Sequence, residues 1–317
     1  MSDHTANTVG IDISKTHLDA HELPSGRAAR FSNDAAGFKR LSAWIGPEAR
    51  CVAYESTGPW HRALEDALGD ELPLARVNAM RARRFAQALG QNAKTDAVDA
   101  WLLATMAGAM GLRRVERPSA AQRDLEELTG ARDALVKDRT AALNRGRHAR
   151  HKLLRRQSRY RLAQIERQIK ALDAEIQRVV NADEALSRKA DVLMSMPGVA
   201  RITAAGLIAA LPELGRIGGK AASSLAGLAP FARESGMWKG RSRIGGGRRK
   251  VRVLLYMAAL SAIRHNPEFA RKYRELRDRG KPPKVALTAI MRKMLVLANT
   301  LVGEDRPWQP VAPPTGA

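Results

Sequence analysis

A long stretch without helix breakers constrains this chain more than any other feature. Residues 119–190 contain no proline and only two glycines. Ser119, with Gln122 three residues later, is typical of a capped helix start. Apolar residues then recur at alternating spacings of three and four, as at the a and d positions of a coiled coil. They are Leu162, Ile165, Ile169, Leu172, Ile176 and Val179. The pattern predicts a helical hairpin or coiled coil over residues 119–190, which we also expect to offer an oligomer contact.

The segment before this stretch alternates strand-like and helix-like runs. Strands are predicted at Val9–Ile13, Leu18–Leu23, Arg27–Ser32, Arg50–Tyr54 and Leu72–Val77, and helices at Ala35–Ile45 and Pro59–Leu68. A meander of three strands, followed by alternating helix and strand, is the order of a ribonuclease H-like α/β domain. Periodicity alone leaves other α/β layouts open. We place this domain at residues 8–112.

The segment after the helical stretch is predicted to be a mostly α C-terminal domain over residues 191–302, with loops around residues 212–219 and 230–247. Met196-Pro197-Gly198-Val199 is typical of the turn in a helix-hairpin-helix element, whose backbone amides hold a DNA phosphate. Ala200 stands where a second glycine is usual, so a pure packing role is the alternative. Residues 303–317 contain four prolines and are predicted to form a disordered tail.

The charge balance indicates a polyanion as the partner. The chain has 54 Lys and Arg against 32 Asp and Glu, a formal net charge of +22, which favours nucleic acid. A membrane surface is the weaker interpretation, because no long apolar span is evident. The single cysteine, Cys51, excludes an internal disulfide or a Cys-rich zinc site and is expected to be a buried structural thiol. No signal peptide is evident, so we expect a cytoplasmic protein.

Four carboxylates stand where strands and a helix could bring them together. Asp12 lies inside a predicted strand, where acids are depleted and burial is costly without a cation. Glu55 ends another strand, and Asp96 and Asp99 share a helical face at i, i+3. Hard oxygen ligands select Mg²⁺ or Mn²⁺. Taken singly, Asp96 is equally well explained as a helix N-terminal acid, and Glu55 as an ordinary strand-end acid.

A basic, glycine-rich segment follows Ser235. Residues 236–252 contain seven Lys or Arg and no acid, around Gly245-Gly246-Gly247, which suits close approach to phosphates. The Ser235 hydroxyl could attack phosphorus there. Spacing alone favours a serine that only contacts phosphate, and Ser223, Ser224 and Ser242 are then equal candidates.

A second basic segment, residues 139–161, contains nine Lys or Arg and no acid, which predicts a nucleic-acid track on every side of a helix. From the two segments we predict a common set of nucleic-acid contacts. They are Arg145, Arg147, Arg150, Lys152, Arg155, Arg156, Lys239, Arg241, Arg243, Arg248, Arg249 and Lys250.

Read together, these residues resemble the transposases of the insertion sequence family one-ten, relatives of the Piv-type DNA invertases. The matching stretches include GIDISKTHLDAHELPSG, YESTGPWHRALEDAL, LAGLAPFARESGMWKGRSRIGGGRRK and GKPPKVALTAIMRKML, and they extend from about residue 9 to residue 297. Besides Ala200, the chain departs from the family at Ala79, where a proline is frequent.

The resemblance implies a RuvC-like N-terminal domain whose DEDD set is Asp12, Glu55, Asp96 and Asp99, all binding Mg²⁺. It implies that Ser235 is the nucleophile, which overturns the preference for a plain phosphate contact. It further implies a covalent protein–DNA intermediate, a non-coding guide RNA, and assembly of homodimers into tetramers.

Three hypotheses follow for the function. The leading one is a serine-plus-DEDD DNA recombinase that excises and inserts its own insertion sequence. The second is a Mg²⁺-dependent structure-specific nuclease that uses water as the nucleophile. The third is a non-catalytic nucleic-acid-binding protein, which the intact carboxylate set disfavours.

Overall fold

The computed structural model describes residues 7–56, 58–91, 96–115, 118–231, 234–235, 238–239 and 242–310. It divides into two compact units, Met1–Arg117 and Pro118–Ala317.

The first unit is a mixed sheet with helices on both faces. Its elements are β1 (Thr8–Ile13), β2 (His17–Leu23), β3 (Ala28–Ser32), α1 (Ala35–Ile45), β4 (Cys51–Glu55), α2 (Arg62–Leu68), β5 (Leu74–Val77), α3 (Ala79–Ala88) and α4 (Asp96–Ala109). The strand order is β3-β2-β1-β4-β5. The first three strands are antiparallel neighbours, whereas β1, β4 and β5 run parallel. The α/β prediction is confirmed.

Alternation along the strands divides the core of this unit between the two faces of the sheet. Val9, Ile11 and Ile13 of β1 pack with α1 and α2 on one face. Ala53 of β4 packs with α3 and α4 on the other. Asp34 caps the start of α1: its side chain accepts a hydrogen bond from the Gly37 amide.

The second unit is mostly helical. Its elements are α5 (Ala120–His148), α6 (Lys152–Ala182), α7 (Glu184–Met194), α8 (Arg201–Ala210), α9 (Gly219–Leu225), β6 (Pro230–Phe231), β7 (Glu234–Ser235), β8 (Trp238–Lys239), β9 (Arg243–Ile244), α10 (Arg249–His265), α11 (Pro267–Asp278) and α12 (Pro283–Gly303). The strands β6 to β9 correct the expectation of a plain loop at residues 230–247.

The long helical stretch is an intramolecular hairpin. Ser119 caps α5 by accepting from the Gln122 amide, and the chain turns between α5 and α6. Of the a and d residues, Ile165 and Ile169 are buried with Ala142 of α5, and Ile176 is buried with Leu125 of α5. Because α5 of the same chain covers this stripe, the stripe is not a free oligomer surface, contrary to expectation.

Two other segments serve as packing elements. Gly198, in the turn between α7 and α8, has a φ of +81°, and a Cβ there would lie 2.3 Å from the Ala258 carbonyl oxygen. The close approach to α10 favours the packing role for this turn. Residues 304–310, which the sequence placed in a disordered tail, instead lie against α7: the Trp308 amide donates to the Ser195 hydroxyl at 2.7 Å. Residues 311–317 lie outside the described residues.

Among the described helices, α12 alone has the length and apolar composition of a membrane span, and half of its apolar window is buried inside the unit. Met294, Leu295 and Leu301 are fully buried in the largest core of the chain. We therefore describe α12 as a core helix.

Candidate active site

Two of the four predicted carboxylates lie side by side at one edge of the sheet. β1 and β4 are parallel, with Ile11 paired to Tyr54, so the next residues in this register are Asp12 and Glu55. Neighbouring strands are about 4.8 Å apart. Both side chains are half-buried. Since Gly10 and Ala53 share this face with them, both carboxylates lie on the side of the sheet that α4 covers.

Gly10 allows α4 to approach this face unusually closely. A Cβ on Gly10 would lie 2.0 Å from the Ala100 carbonyl oxygen and 2.4 Å from the Ala104 amide nitrogen, so only glycine fits. The Thr8 hydroxyl donates to the Ala104 carbonyl at 3.0 Å. The helix backbone is therefore in direct contact with the β1 backbone.

The same contacts give the direction of α4. Thr8 contacts Ala104 and Gly10 contacts Ala100, so the helix runs antiparallel to β1. Two strand residues rise about 6.6 Å, and four helix residues about 6 Å. Two residues beyond Gly10 on β1 is Asp12, and four residues before Ala100 on α4 is Asp96, so these two residues lie at about the same height. The amino end of α4, where Asp99 is half-buried, is thus level with the edge of the sheet that carries Asp12 and Glu55. We call this edge the carboxylate edge.

The carboxylates have the donor chemistry of a hard divalent cation, but the described side chains do not by themselves form a complete ligand set. No three His, Cys, Asp or Glu side chains in the described part lie close enough to hold a metal ion. Residues 92–95 and the side chain of Asp96 lie outside that part.

A partly buried polar cluster on the opposite face of the sheet was not predicted from the sequence. The Arg76 guanidinium donates to both oxygens of Glu65, at 2.6 and 2.7 Å. The Tyr54 hydroxyl donates to Glu65, and the His61 ring stacks on Tyr54 with centroids 6.1 Å apart. Tyr54 immediately precedes Glu55, so the cluster anchors the strand end that carries this carboxylate. The available signal was Arg76, a charged residue inside an apolar strand.

Of the titratable side chains in this cluster, His61 is the one whose ordinary pKa is closest to neutral pH. Burial, reinforced by the positive charge of Arg76, lowers the pKa of His61 below its usual value. His61 as a whole is only 8% exposed. His61 is therefore neutral at physiological pH, and the ion-pair partner of Glu65 is Arg76.

Ser235 lies near the end of a β-hairpin in the second unit. At its base, Pro230 and Phe231 of β6 pair with Ile244 and Arg243 of β9. Farther out, Ser235 of β7 pairs with Trp238 of β8, separated by two residues. The backbone of Ser235 is thus paired with β8, and residues 236–237 between the two strands lie outside the described residues. The side chain of Ser235 also lies outside them.

The other serines proposed from spacing have different surroundings. Ser223 is fully buried, and its hydroxyl donates to the Gly219 carbonyl within α9 at 2.8 Å. Burial therefore removes it as a nucleophile. Ser224 and Ser242 are exposed.

The base of the hairpin is fixed to the end of α9 by close backbone contacts. Gly227 has a φ of +65°, and a Cβ there would lie 2.2 Å from both the Gly246 carbonyl oxygen and the Arg252 guanidinium. Arg252 donates to the carbonyls of Ala226, at 2.9 Å, and Gly246. The Arg248 amide donates to the Leu225 carbonyl at 2.7 Å.

Two of the cations predicted to contact nucleic acid have partners inside the protein. Arg248 makes a bidentate pair with Glu213 at 2.6 Å and donates to the Ala210 carbonyl at 3.1 Å. Lys250 contacts the Thr129 hydroxyl at 2.9 Å and Asp133 at 3.1 Å. Both side chains stabilise the packing of α10, a role that sequence spacing does not reveal. Arg243 and Arg249 are exposed, whereas Arg241 and the side chain of Lys239 lie outside the described residues.

The remaining predicted cations converge at the turn of the helical hairpin. All six are exposed, and they are Arg145, Arg147, Arg150, Lys152, Arg155 and Arg156. Leu153, Leu154 and Tyr160 are also exposed beside them. The turn therefore presents a dense positive surface, which suits a nucleic-acid backbone.

Two family models match this chain. The family model for DEDD transposases of the IS110 type matches residues 9–154. A second model, described as the transposase IS116/IS110/IS902 family, matches residues 190–274. The pilin gene-inverting protein of Moraxella bovis is 27% identical over 95% of this chain and 97% of its own length. That of Moraxella lacunata is 26% identical over the same shares.

A carboxylate-bearing α/β unit followed by a basic helical unit, with these relatives, defines a DNA transposase or recombinase. More particularly, the chain belongs to the IS110 family of transposases. The 42 kDa protein of insertion element IS900 from Mycobacterium paratuberculosis is 30% identical over 47% of this chain and 39% of its own length.

Proposed function

We propose that this transposase excises and inserts its insertion sequence by covalent catalysis, with Ser235 as the nucleophile. Asp12, Glu55, Asp96 and Asp99 are the proposed ligands for Mg²⁺ or Mn²⁺, in a domain of the RuvC-like class. The observation that carries the proposal is the register of β1 and β4, which brings Asp12 beside Glu55 on the face that α4 covers.

Asp12 and Glu55 are half-buried side by side, and carboxylate oxygens are the ligands that Mg²⁺ and Mn²⁺ prefer. A divalent ion held there would supply positive charge to the oxygens of a phosphodiester. The family type also suggests dependence on a divalent metal.

The proposed chemical step is a transesterification. The Ser235 oxygen loses its proton and forms a bond to phosphorus. The bond from phosphorus to one deoxyribose oxygen then breaks, and that oxygen takes up a proton. The phosphodiester energy is retained in the serine–DNA bond, so a deoxyribose hydroxyl of another strand can reverse the step and join new DNA. The exposed Arg243 and Arg249 flank this segment and would stabilise the charge on phosphate.

We further propose that a guide RNA of the element selects the target and donor DNA, and that homodimers assemble into tetramers on DNA within the cytoplasm. The resemblance to the family supports these proposals. The exposed cations at the turn of the α5–α6 hairpin are our proposed track for this RNA or for DNA. Sequencing the RNA that co-purifies from cells carrying the element tests the first point, and mass photometry with and without DNA tests the second.

Trapping of the covalent adduct tests the nucleophile. The wild-type chain is incubated with Mg²⁺ and labelled element-end DNA, and a labelled band resistant to boiling in detergent is expected. Ser235→Ala should lose this adduct and recombination, whereas Ser242→Ala, an exposed serine of the same segment, should retain both. Asp12→Asn should reduce adduct formation by about 100-fold or more.

The nuclease alternative predicts a different outcome. If water is the nucleophile, DNA is cleaved without an adduct and Ser235→Ala cleaves normally. That result would replace the serine mechanism with metal-dependent hydrolysis.

A further inference from the structure

An indole ring is left exposed at the carboxylate edge of the first unit. Trp60 is 40% exposed and lies in the connection between β4 and α2, five residues after Glu55. Lys15 lies in the turn between β1 and β2, three residues after Asp12, and its Nζ is 5.7 Å from the centroid of the Trp60 ring. The two turns that follow the two carboxylates therefore meet over one aromatic ring.

Hydrogen bonds hold these two turns together. Asn33, after the end of β3, donates from Nδ2 to the Ser14 carbonyl at 2.8 Å and to the Trp60 carbonyl at 3.4 Å. The Ser14 hydroxyl in turn donates to the His17 carbonyl at 2.8 Å. The backbone on either side of the ring is thus fixed by contacts that do not cover the ring.

Gly58 keeps the connection close to the indole. Its φ is +60°, and a Cβ there would lie 3.6 Å from Cδ1 and Nε1 of Trp60. The left-handed backbone conformation of Gly58 sets the path of this short connection. His61 and Tyr54 nearby in the sequence are buried, whereas Trp60 is exposed and belongs to neither hydrophobic cluster of the first unit among the described residues.

We propose that Trp60 and Lys15 bind an unpaired base of the DNA strand next to the phosphodiester that reacts. The base would stack on the indole, and the Lys15 ammonium would contact the neighbouring phosphate. Exposed aromatic rings beside Lys or Arg are the usual means of binding single-stranded nucleic acid without sequence preference. The inference rests on the proposed function in one respect, that the reacting phosphodiester lies at the carboxylate edge.

The location gives the pair a role in the reaction. A phosphodiester at the edge of Asp12 and Glu55 has its flanking nucleotides within reach of the turns that follow β1 and β4. A stacked base holds the strand in position, and holding an unpaired base keeps the strand separated from its complement during exchange. A duplex without an unpaired base offers no exposed ring to the indole.

Fluorescence of 2-aminopurine in single-stranded DNA tests the stacking. The full-length chain is titrated in EDTA, so that cleavage does not interfere, with oligonucleotides carrying the probe at successive positions. Stacking should quench the probe at one or two positions. Trp60→Ala should abolish that quenching and weaken single-strand binding by about 10-fold, and Trp60→Phe should retain most of both. Lys15→Met should weaken binding with less effect on quenching.

Met110→Ala is the matched control, because Met110 is 38% exposed in the same unit and follows the carboxyl end of α4, at the opposite end of this helix from the carboxylates. Its quenching and affinity should equal those of the wild-type chain. Circular dichroism melting of Trp60→Ala checks that the exposed position leaves the fold intact. Photocrosslinking with 5-iodouracil DNA should label the peptide that contains Trp60.

Wild-type quenching in Trp60→Ala, with crosslinks that map elsewhere, would overturn the inference. Stronger quenching with RNA of the same sequence would overturn the assignment to a DNA strand. If the Asp12→Asn and Ser235→Ala variants still recombine DNA and the wild-type chain still quenches 2-aminopurine, the proposed function is wrong but the stacking proposal stands. If those two variants are inactive but Trp60→Ala behaves as wild type, only the stacking proposal fails.

Discussion

Gly10→Ala should displace α4 from the sheet and so separate the elements that carry the carboxylates. The added Cβ would lie 2.0 Å from the Ala100 carbonyl oxygen, and both atoms belong to rigid backbone. An ordinary contact begins near 3.4 Å, so α4 must retreat by about 1.4 Å at this point. Overpacking of this kind costs about 1–3 kcal/mol. Loss of the hydrogen bond from Thr8 to Ala104 adds about 1 kcal/mol.

The free energy of unfolding of the first unit should therefore fall by about 2–4 kcal/mol. Urea titration followed by hydrogen-exchange mass spectrometry of β1 and α4 peptides measures this unit by itself. With a urea m-value of about 2 kcal/mol/M, the midpoint should fall by about 1–2 M. At a temperature where the variant is still folded, DNA cleavage should also fall, because Asp99 moves with the helix.

Gly108→Ala is the matched control at the same helix–sheet contact. A Cβ on Gly108 would meet only the Thr8 hydroxyl, at the ordinary distance of 3.7 Å, and Gly108 is exposed in the last turn of α4. Replacing a helical glycine by alanine should stabilise the unit by about 0.5–1 kcal/mol. The same substitution thus has opposite signs at the two glycines. A Gly10→Ala unit with the wild-type urea midpoint would refute the argument that this glycine sets the helix position.

Three further predictions concern charged groups. Arg248→Ala should lower the free energy of unfolding of the second unit by about 1 kcal/mol, because Glu213 loses a bidentate partner but keeps a third of its side-chain surface in solvent. A double-mutant cycle with Glu213→Ala should give a coupling energy of the same size. Additive effects of the two substitutions would contradict this prediction. Because the folded pKa of His61 is lowered from 6.5, the unfolded state binds more protons, so stability should be lost as pH falls below about 6.5. A His61→Gln variant should show a flatter pH dependence in urea titrations, and an unchanged dependence would exclude His61 as the cause. The double variant Arg145→Ala, Arg156→Ala should reduce the slope of the logarithm of the binding constant against the logarithm of salt concentration by about 2, because each cation is expected to neutralise one phosphate. Filter binding at several salt concentrations measures this slope. An unchanged slope would show that these two cations do not contact the DNA or RNA.

Elements with a regular period were predictable from the sequence because their signals are local. The α5 start follows from Ser119, whose side chain does accept from the Gln122 amide. The strands β1 to β5 follow from apolar runs bounded by turn residues. The a and d stripe predicted a packed helical seam, but periodicity does not reveal whether the covering helix belongs to the same chain. Here α5 covers Ile169 and Ile176.

Features that depend on distant partners were not predictable in this way. The cluster around Glu65 joins Tyr54 to Arg76, which are 22 positions apart, and no single segment shows it. The hairpin that carries Ser235 has strands of two residues, too short to show alternation. Asp12 was recognisable as an acid inside a strand and Glu55 as a strand-end acid, but only the parallel register makes them neighbours.

The base of the serine hairpin provides a last test, because it separates positioning of the nucleophile from DNA binding. A Cβ on Gly227 would meet Arg252 and the Gly246 carbonyl oxygen, both at 2.2 Å, so Gly227→Ala should shift the base and misplace Ser235 at the far end. A displacement of about 1 Å can slow chemistry by about 100-fold. DNA affinity should change by less than about twofold, because exposed cations elsewhere are unaffected. Gly218→Ala, at the other end of α9 with no atom within 4 Å of the added Cβ, should form the serine–DNA adduct at the wild-type rate. Adduct formation at that same rate by Gly227→Ala would show that the close contacts at the base do not position the nucleophile.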